Sequence, residues 1–257
     1  MTTNKLIQTD SLTDKSYAAD GFDASKDTVK YSYTSARVAK PVYNKYDTTN
    51  KPKVFGYYTD WSQYDSRQTD GDDTPENRGR GYDLANVSPT AYDKIILGFL
   101  GIVGDTTGEK AEVIARAARN LNKVTNEPTF LDPWGDFQTS NNVGLKNADW
   151  VEMDVNSATQ ATVKGIVGGL RDLQAKAKTL GHTLALSMSI GGWTMSSGFH
   201  NMSQTPAGRS TFAKGVAKLF TRFPMFSEVD IDWEYPGNAG NNNAYSDSDG
   251  ANYALLL

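Results

Sequence analysis

Val229-Asp-Ile-Asp-Trp-Glu-Tyr-Pro236 alternates apolar and acidic residues with a period of two. In an extended strand successive side chains point to opposite faces. Asp230, Asp232 and Glu234 therefore share one face, and Val229, Ile231, Trp233 and Tyr235 share the other. Neighbouring acids stand about 6.6 Å apart along such a strand, a chain of carboxylates rather than two walls around a bond. The strands around it decide what the acids mean. Lys53-Val-Phe-Gly-Tyr-Tyr58, Lys94-Ile-Ile-Leu-Gly-Phe-Leu-Gly101 and Thr183–Ile190 each read as a buried strand. Between them Glu109–Val124, Ala158–Leu180 and Pro206–Phe223 carry apolar residues at helical spacing, and Gly181 supplies a C-terminal stop. Strands alternating with helices predict βα units and a parallel sheet. Both faces of such a sheet are covered, so the expectation is three acids on one buried face. They would repel each other and lose hydration, and at least one would hold a proton near neutral pH. That arrangement is costly for folding and suits general acid catalysis. The structural alternative is an edge strand whose outer face happens to be acidic.

Residues 1–50 are polar, with scattered tyrosines and weak strand character near Val29–Tyr33; they read as an extension to the domain at 51–257. Ser62–Gly81 and Pro128–Ser157 read as loops, the second carrying Trp134, Phe137 and Trp150. Tyr253-Ala-Leu-Leu-Leu257 reads as the start of a helix. The 257 residues include no cysteine and two histidines, His182 and His200. Disulfides, thiolate nucleophiles and Cys-bearing metal sites are thereby excluded, as is an H-x-x-x-H metalloprotease helix. A net charge of −4 without a basic run argues against a nucleic-acid partner. No apolar stretch approaches the roughly 20 residues of a membrane span, and the N-terminus shows no ordinary secretory signal. Carboxylates are left to carry the chemistry.

Together with Ser189-Ile-Gly-Gly-Trp193, the acidic strand resembles the two signature strands of family-18 glycoside hydrolases, the chitinases. Phe55-Gly-Tyr-Tyr58 and Asp132-Pro-Trp-Gly-Asp-Phe-Gln138 add to the likeness, which covers about residues 53–257; these two segments fit exo-acting, processive bacterial enzymes. The stretch through Tyr64-Asp-Ser-Arg67 is similar to chitinases that accompany insecticidal toxin complexes. The resemblance implies an α/β fold, a (β/α)8 barrel with its site at the C-terminal ends of the strands. About the first four βα units are expected in this chain, since no counterpart of the family's later tyrosine–aspartate and tryptophan motifs precedes Leu257.

The resemblance also implies hydrolysis of β-1,4-linked N-acetylglucosamine with retention, the substrate's acetamido oxygen acting as nucleophile. Glu234 would be the general acid and then the base. Asp232 would orient the acetamido group and stabilise the oxazolinium. Asp230 would share a proton with Asp232. Tyr57 and Ser189 match positions that contact this aspartate pair, and Trp193 matches an aromatic that stacks on a sugar ring. Phe99, Tyr235 and Trp134 complete the substrate-binding candidates; Trp61, Trp134 and Phe137 read equally as cleft paving or loop packing. Ser227-Glu228 departs from the Asp-Gly that the family usually carries there. His182 reads as a surface residue and His200 as a loop residue serving structure or solvent. No metal or cofactor is required. The expected partner is chitin or a chitooligosaccharide, with membership of an insecticidal toxin complex as a further role and an extracellular location reached without an ordinary signal. A chain limited to half a barrel could instead bind sugar or a partner without hydrolysis.

Overall fold

Four parallel strands, each paired with the next, make the frame that holds the acids. The computed structural model describes residues 6–9, 44–46, 52–64, 84, 87–138 and 154–257. Near the N-terminus β1 (Leu6–Thr9) pairs antiparallel with β2 (Asn44–Tyr46). The main sheet contains β3 (Phe55–Thr59), β4 (Lys94–Ile102), β6 (Ala185–Gly191) and β7 (Phe226–Asp232), paired in parallel in that order. The short β5 (Pro128–Thr129) pairs antiparallel with the end of β4. Helices α1 (Ala111–Asn120), α2 (Pro133–Phe137), α3 (Gly165–Thr179), α4 (Ser197–Ser203), α5 (Pro206–Arg222) and α6 (Asp249–Leu256) are the described α-helices. The order is that of successive βα units in a (β/α)8 barrel.

One core lies between sheet and helices. Leu97, Leu100 and Ile102 of β4 and Leu186, Met188 and Ile190 of β6 are buried against Ile166, Leu170 and Leu173 of α3 and Phe212 and Leu219 of α5. Parallel central strands covered on both faces read as continuous apolar runs, and β4 and β6 do. The same core includes a knot of aromatics just past β5. Phe137 is wholly buried, 4.9 Å from Phe130 and 5.5 Å from Phe223 between ring centres. Phe137 is therefore core, which removes the cleft-paving reading.

Several element boundaries differ from the sequence reading, each for a local reason. The helix expected from Ala158 starts at Gly165. Gly165 has φ +60°, and a Cβ there would lie 2.5 Å from the backbone of Gly135 and Asp136, so the chain turns beside α2 at this glycine and the helix runs on from it rather than through it. Residues 159–163 form turns instead, and the Arg171 guanidinium gathers the carbonyls of Gln160, Ala161 and Val163. The loop expected from Pro128 contains β5 and α2. A second short helix, α4, follows Trp193. The expected terminal helix is present and begins earlier, at Asp249. Asp60–Tyr64 is a 3₁₀ turn. The strand expected near Val29–Tyr33, the rest of the Ser62–Gly81 loop beyond Tyr64, and Trp150 lie outside the described residues.

Candidate active site

Asp230 sits in β7 with Cα register to Ser189 of β6, and Asp232 is in register with Gly191. That pairing brings the Ser189 hydroxyl to Asp230, where it donates to Oδ2 at 2.6 Å. Tyr57 of β3 reaches across the sheet and donates its phenol to the same oxygen at 2.8 Å. Two hydroxyl donors converging on one oxygen fix the rotamer of this carboxyl. Burial and this hydrogen bond push the Tyr57 phenol up to about 12, so it remains a donor throughout the working range.

Asp232 has the opposite electrostatic setting. Burial, then the charges of Glu234 and Asp230, raise its carboxyl above the ordinary aspartate value. The expectation of a fully buried acidic face needs correcting. Asp230, Asp232 and Glu234 are half-buried, and Val229 is exposed. Among the described residues β7 is the last strand of its sheet, so only one of its sides is covered by β6. The apolar face is held beneath: Trp233 is buried, stacked on Phe199 at 5.3 Å and edge-on to Tyr253 at 5.7 Å.

The strand also stops earlier than its period-two pattern suggests. Asp232 is the last ladder residue, and Glu234 lies just past it. Loop donors and acceptors replace the ladder there. The Asp232 carbonyl accepts from Gly192 N–H at 2.8 Å, and the Glu234 N–H donates to Ser196 Oγ at 2.9 Å. The Glu234–Tyr235 and Gly98–Phe99 peptide bonds are both cis. Tyr235 is exposed, and a hydrogen bond to the Glu234 carboxylate, with its charge, raises the phenol's pKa.

Aromatic candidates fall into two groups. Phe99, at the C-terminal half of β4, lies 6.0 Å from Tyr57 and 6.1 Å from Trp61 between ring centres, the Trp61 ring stacked on it. These three rings form a chain that reaches Asp230 through the Tyr57 hydroxyl, and Trp193, on the loop after β6, is exposed. Trp134 is apart. It lies on α2 in a groove with Arg116 and Asn156, which shares Arg116, Leu131 and Asp132 with the groove lined by Trp61. His182 is half-buried rather than a surface residue, because its Nε2 is 2.6 Å from the Tyr92 carbonyl. His200 has a structural partner, with Nδ1 2.8 Å from buried Asp249. Glu228 pairs with Lys94 of β4, which accounts for the Ser227-Glu228 departure as a cross-strand ion pair. Ser196, Asn243 and Tyr253 were not singled out in the sequence, yet all three bear on the acidic strand. Tyr253 has its phenol raised by burial and by the charges of Asp230 and Asp232. Among the described residues no cluster of His, Asp and Glu is disposed to hold a metal ion.

The sequence profile described as Glycosyl hydrolases family 18 matches residues 53–257. The chain belongs to this family. Its similarity to Chitinase 2 of Yersinia entomophaga is 41% identity over 277 aligned positions, covering 98% of this chain and 43% of that protein. Chitinase 1 of the same organism is 34% identical, with 95% of this chain and 46% of that protein covered. Among solved structures, the chitinase Chi1 fitted into the Yersinia entomophaga toxin complex superposes with a TM-score of 0.72 at 33% identity, covering 95% of this chain and 48% of that one. The chain thus spans about half the length of the family-18 relatives it matches. The parallel sheet is accordingly the first half of the family's (β/α)8 barrel, and the three acids sit at the C-terminal end of its fourth strand.

Proposed function

We propose that this protein is a retaining chitinase in which Glu234 protonates the glycosidic oxygen and later activates water. The observation that carries the reading is the graded acidic chain. Asp230 is held by two hydroxyl donors, while Asp232, between it and Glu234, has a raised pKa. A carboxyl that stays protonated to higher pH beside one held as a hydrogen-bond acceptor lets a proton reside on the Asp230–Asp232 pair or at the acetamido group. Asp232 turned toward the substrate would orient the acetamido oxygen and balance the positive oxazolinium; Glu234 is then left to give and recover the proton at the glycosidic bond. No carboxylate needs to attack carbon, because the nucleophile belongs to the substrate. Phe99, Trp61 and Trp193 offer flat apolar faces for pyranose rings, and Tyr235 offers a hydroxyl beside Glu234. Proton NMR of chitopentaose cleavage tests the mechanism: the β-anomer should appear first, and an initial α-anomer would reject it.

The chain's similarity to chitinases of Yersinia entomophaga, one of them fitted into a toxin complex, supports a second proposal. Residues 1–50 would dock the catalytic domain onto such an assembly, and the protein would act outside the producing cell, where chitin is found. Deleting residues 1–50 should abolish co-purification with the assembly; unchanged co-purification would refute the docking role.

A further inference from the structure

We propose that Ser196 and Asn243 are positioning residues for Glu234, gripping its main chain at both the N–H and the C=O so that its carboxyl is held beside Asp232. The proposal rests on the reading of Glu234 as the acid. Glu234 lies beyond the last ladder pair, Gly191 with Asp232, so the sheet itself does not fix it. Two acids two residues apart repel, and an unsupported segment would let them separate.

Two loops supply the missing restraint. Ser196 is completely buried; its Oγ accepts the Glu234 N–H at 2.9 Å and lies 2.9 Å from the Gly192 carbonyl and 3.0 Å from that of Asp232, to either of which it donates. Asn243 is buried on the other side. Its Nδ2 donates to the Glu234 carbonyl at 3.0 Å and reaches the Trp193 carbonyl at 3.5 Å. The loop bearing Asn243 is pressed onto Glu234: a Cβ on Gly240 would lie 2.2 Å from the Glu234 carbonyl oxygen. That loop is itself pinned by Asp249, which is fully buried. Asp249 Oδ2 accepts from Ser246 N–H at 2.8 Å and Gly237 N–H at 3.4 Å. Its Oδ1 meets the Ser246 hydroxyl at 3.1 Å and His200 Nδ1 at 2.8 Å. The clamp therefore joins the acid, the loop of Trp193 and helix α6 into one unit, with the hydrogen bonds of Ser196 and Asn243 all made to main chain.

The test follows the Asp232 carboxyl by ¹³C NMR titration in the wild-type protein, Ser196→Ala, Asn243→Ala and Glu234→Gln. Glu234→Gln removes the neighbouring charge and so marks the midpoint that Asp232 takes without it. Freed from the clamp, Glu234 moves away from Asp232, and the Asp232 midpoint falls part of the way to that mark in both clamp variants while the amide spectrum stays dispersed. A merely structural role would lower the melting temperature and leave the midpoint of the folded protein in place. A midpoint at or above the wild-type value in either folded variant overturns the proposal, and variants in two separate loops keep the test decisive if one does not fold. The titration needs no substrate. A protein that shows the shift but cleaves no chitooligosaccharide keeps the clamp and loses the chitinase reading. In a protein that does cleave, kcat falls by about 100-fold at little-changed KM.

Discussion

Asp230 Oδ2 receives one hydroxyl from a residue with no exposed surface, Ser189, and one from the half-exposed Tyr57. Removing the buried donor empties the side of that oxygen that faces β6, where Ser189 has no exposed surface for water to replace. Ser189→Ala is therefore expected to cost about 1.5–3 kcal/mol in urea denaturation, and Tyr57→Phe less, because solvent can take its place. Asp232 behaves in the opposite way. Its folded-state pKa is raised, so the stability it contributes is complete below the ordinary aspartate pKa and is lost as pH rises through the folded value. Asp232→Asn should consequently raise the melting temperature at pH 8, leave it nearly unchanged at pH 3, and abolish hydrolysis. A gain in stability with a loss of activity is the mark of a group kept for chemistry. The acids were legible because a period-two row of carboxylates inside apolar βα strands contradicts ordinary core composition, and Ser189 and Tyr57 only through the family resemblance. Ser196 and Asn243 were not. Both act on the main chain, and nothing in Ser196-Ser197 or Asn241-Asn-Asn243 separates them from ordinary loop polar residues.

Helix α2 is short, yet it carries two buried groups of opposite consequence. Phe137 fills the aromatic knot with Phe130 and Phe223, under the Arg222 guanidinium at 5.1 Å, and Phe137→Ala should cost about 3–5 kcal/mol. Asp136 is wholly buried, with one carboxyl oxygen unpaired and the other accepting from Asp132 N–H at 3.2 Å. Burial, then the charges of Asp60 and Asp132, push it well above the usual range, and burial likewise raises Asp60 to about 7. Both folded values exceed the unfolded ones, so stability from this pair is present below about pH 4 and lost as pH rises through about 7. Thermal melts of Asp136→Asn should show a flatter pH dependence between 4 and 7 and higher stability than wild type at pH 8; an unchanged slope would contradict this. At the same scale, the sequence showed the long amphipathic helix α5 almost to the residue, since Pro206 and its apolar stripe mark it. It misplaced the start of α3, because the left-handed turn at Gly165 is imposed by the contact with α2 rather than by local pattern.

Across the molecule the βα order, the parallel sheet and the family were readable from alternating patterns and two signature strands. The exposure of the acidic face was not, because it depends on what lies beside β7. Among the described residues both outer strands of the sheet have one unpaired edge, and Phe55, Tyr57 and Val229 are exposed along them. Such edges recruit further strands. The 257-residue protein alone is expected to self-associate in sedimentation velocity, and Val229→Lys on the β7 edge should reduce that association; a monomer at every concentration would show the edges to be covered. The central claim concerns Glu234, and it is tested most directly by comparing wild type with Glu234→Gln for turnover of a fluorogenic diacetylchitobioside and for calorimetric binding of a chitooligosaccharide. The account predicts cleavage by the wild type, a fall of about 1,000-fold or more in kcat in the variant, and sugar binding preserved; a wild type that cannot cleave, or a Glu234→Gln variant that cleaves undiminished, would contradict it.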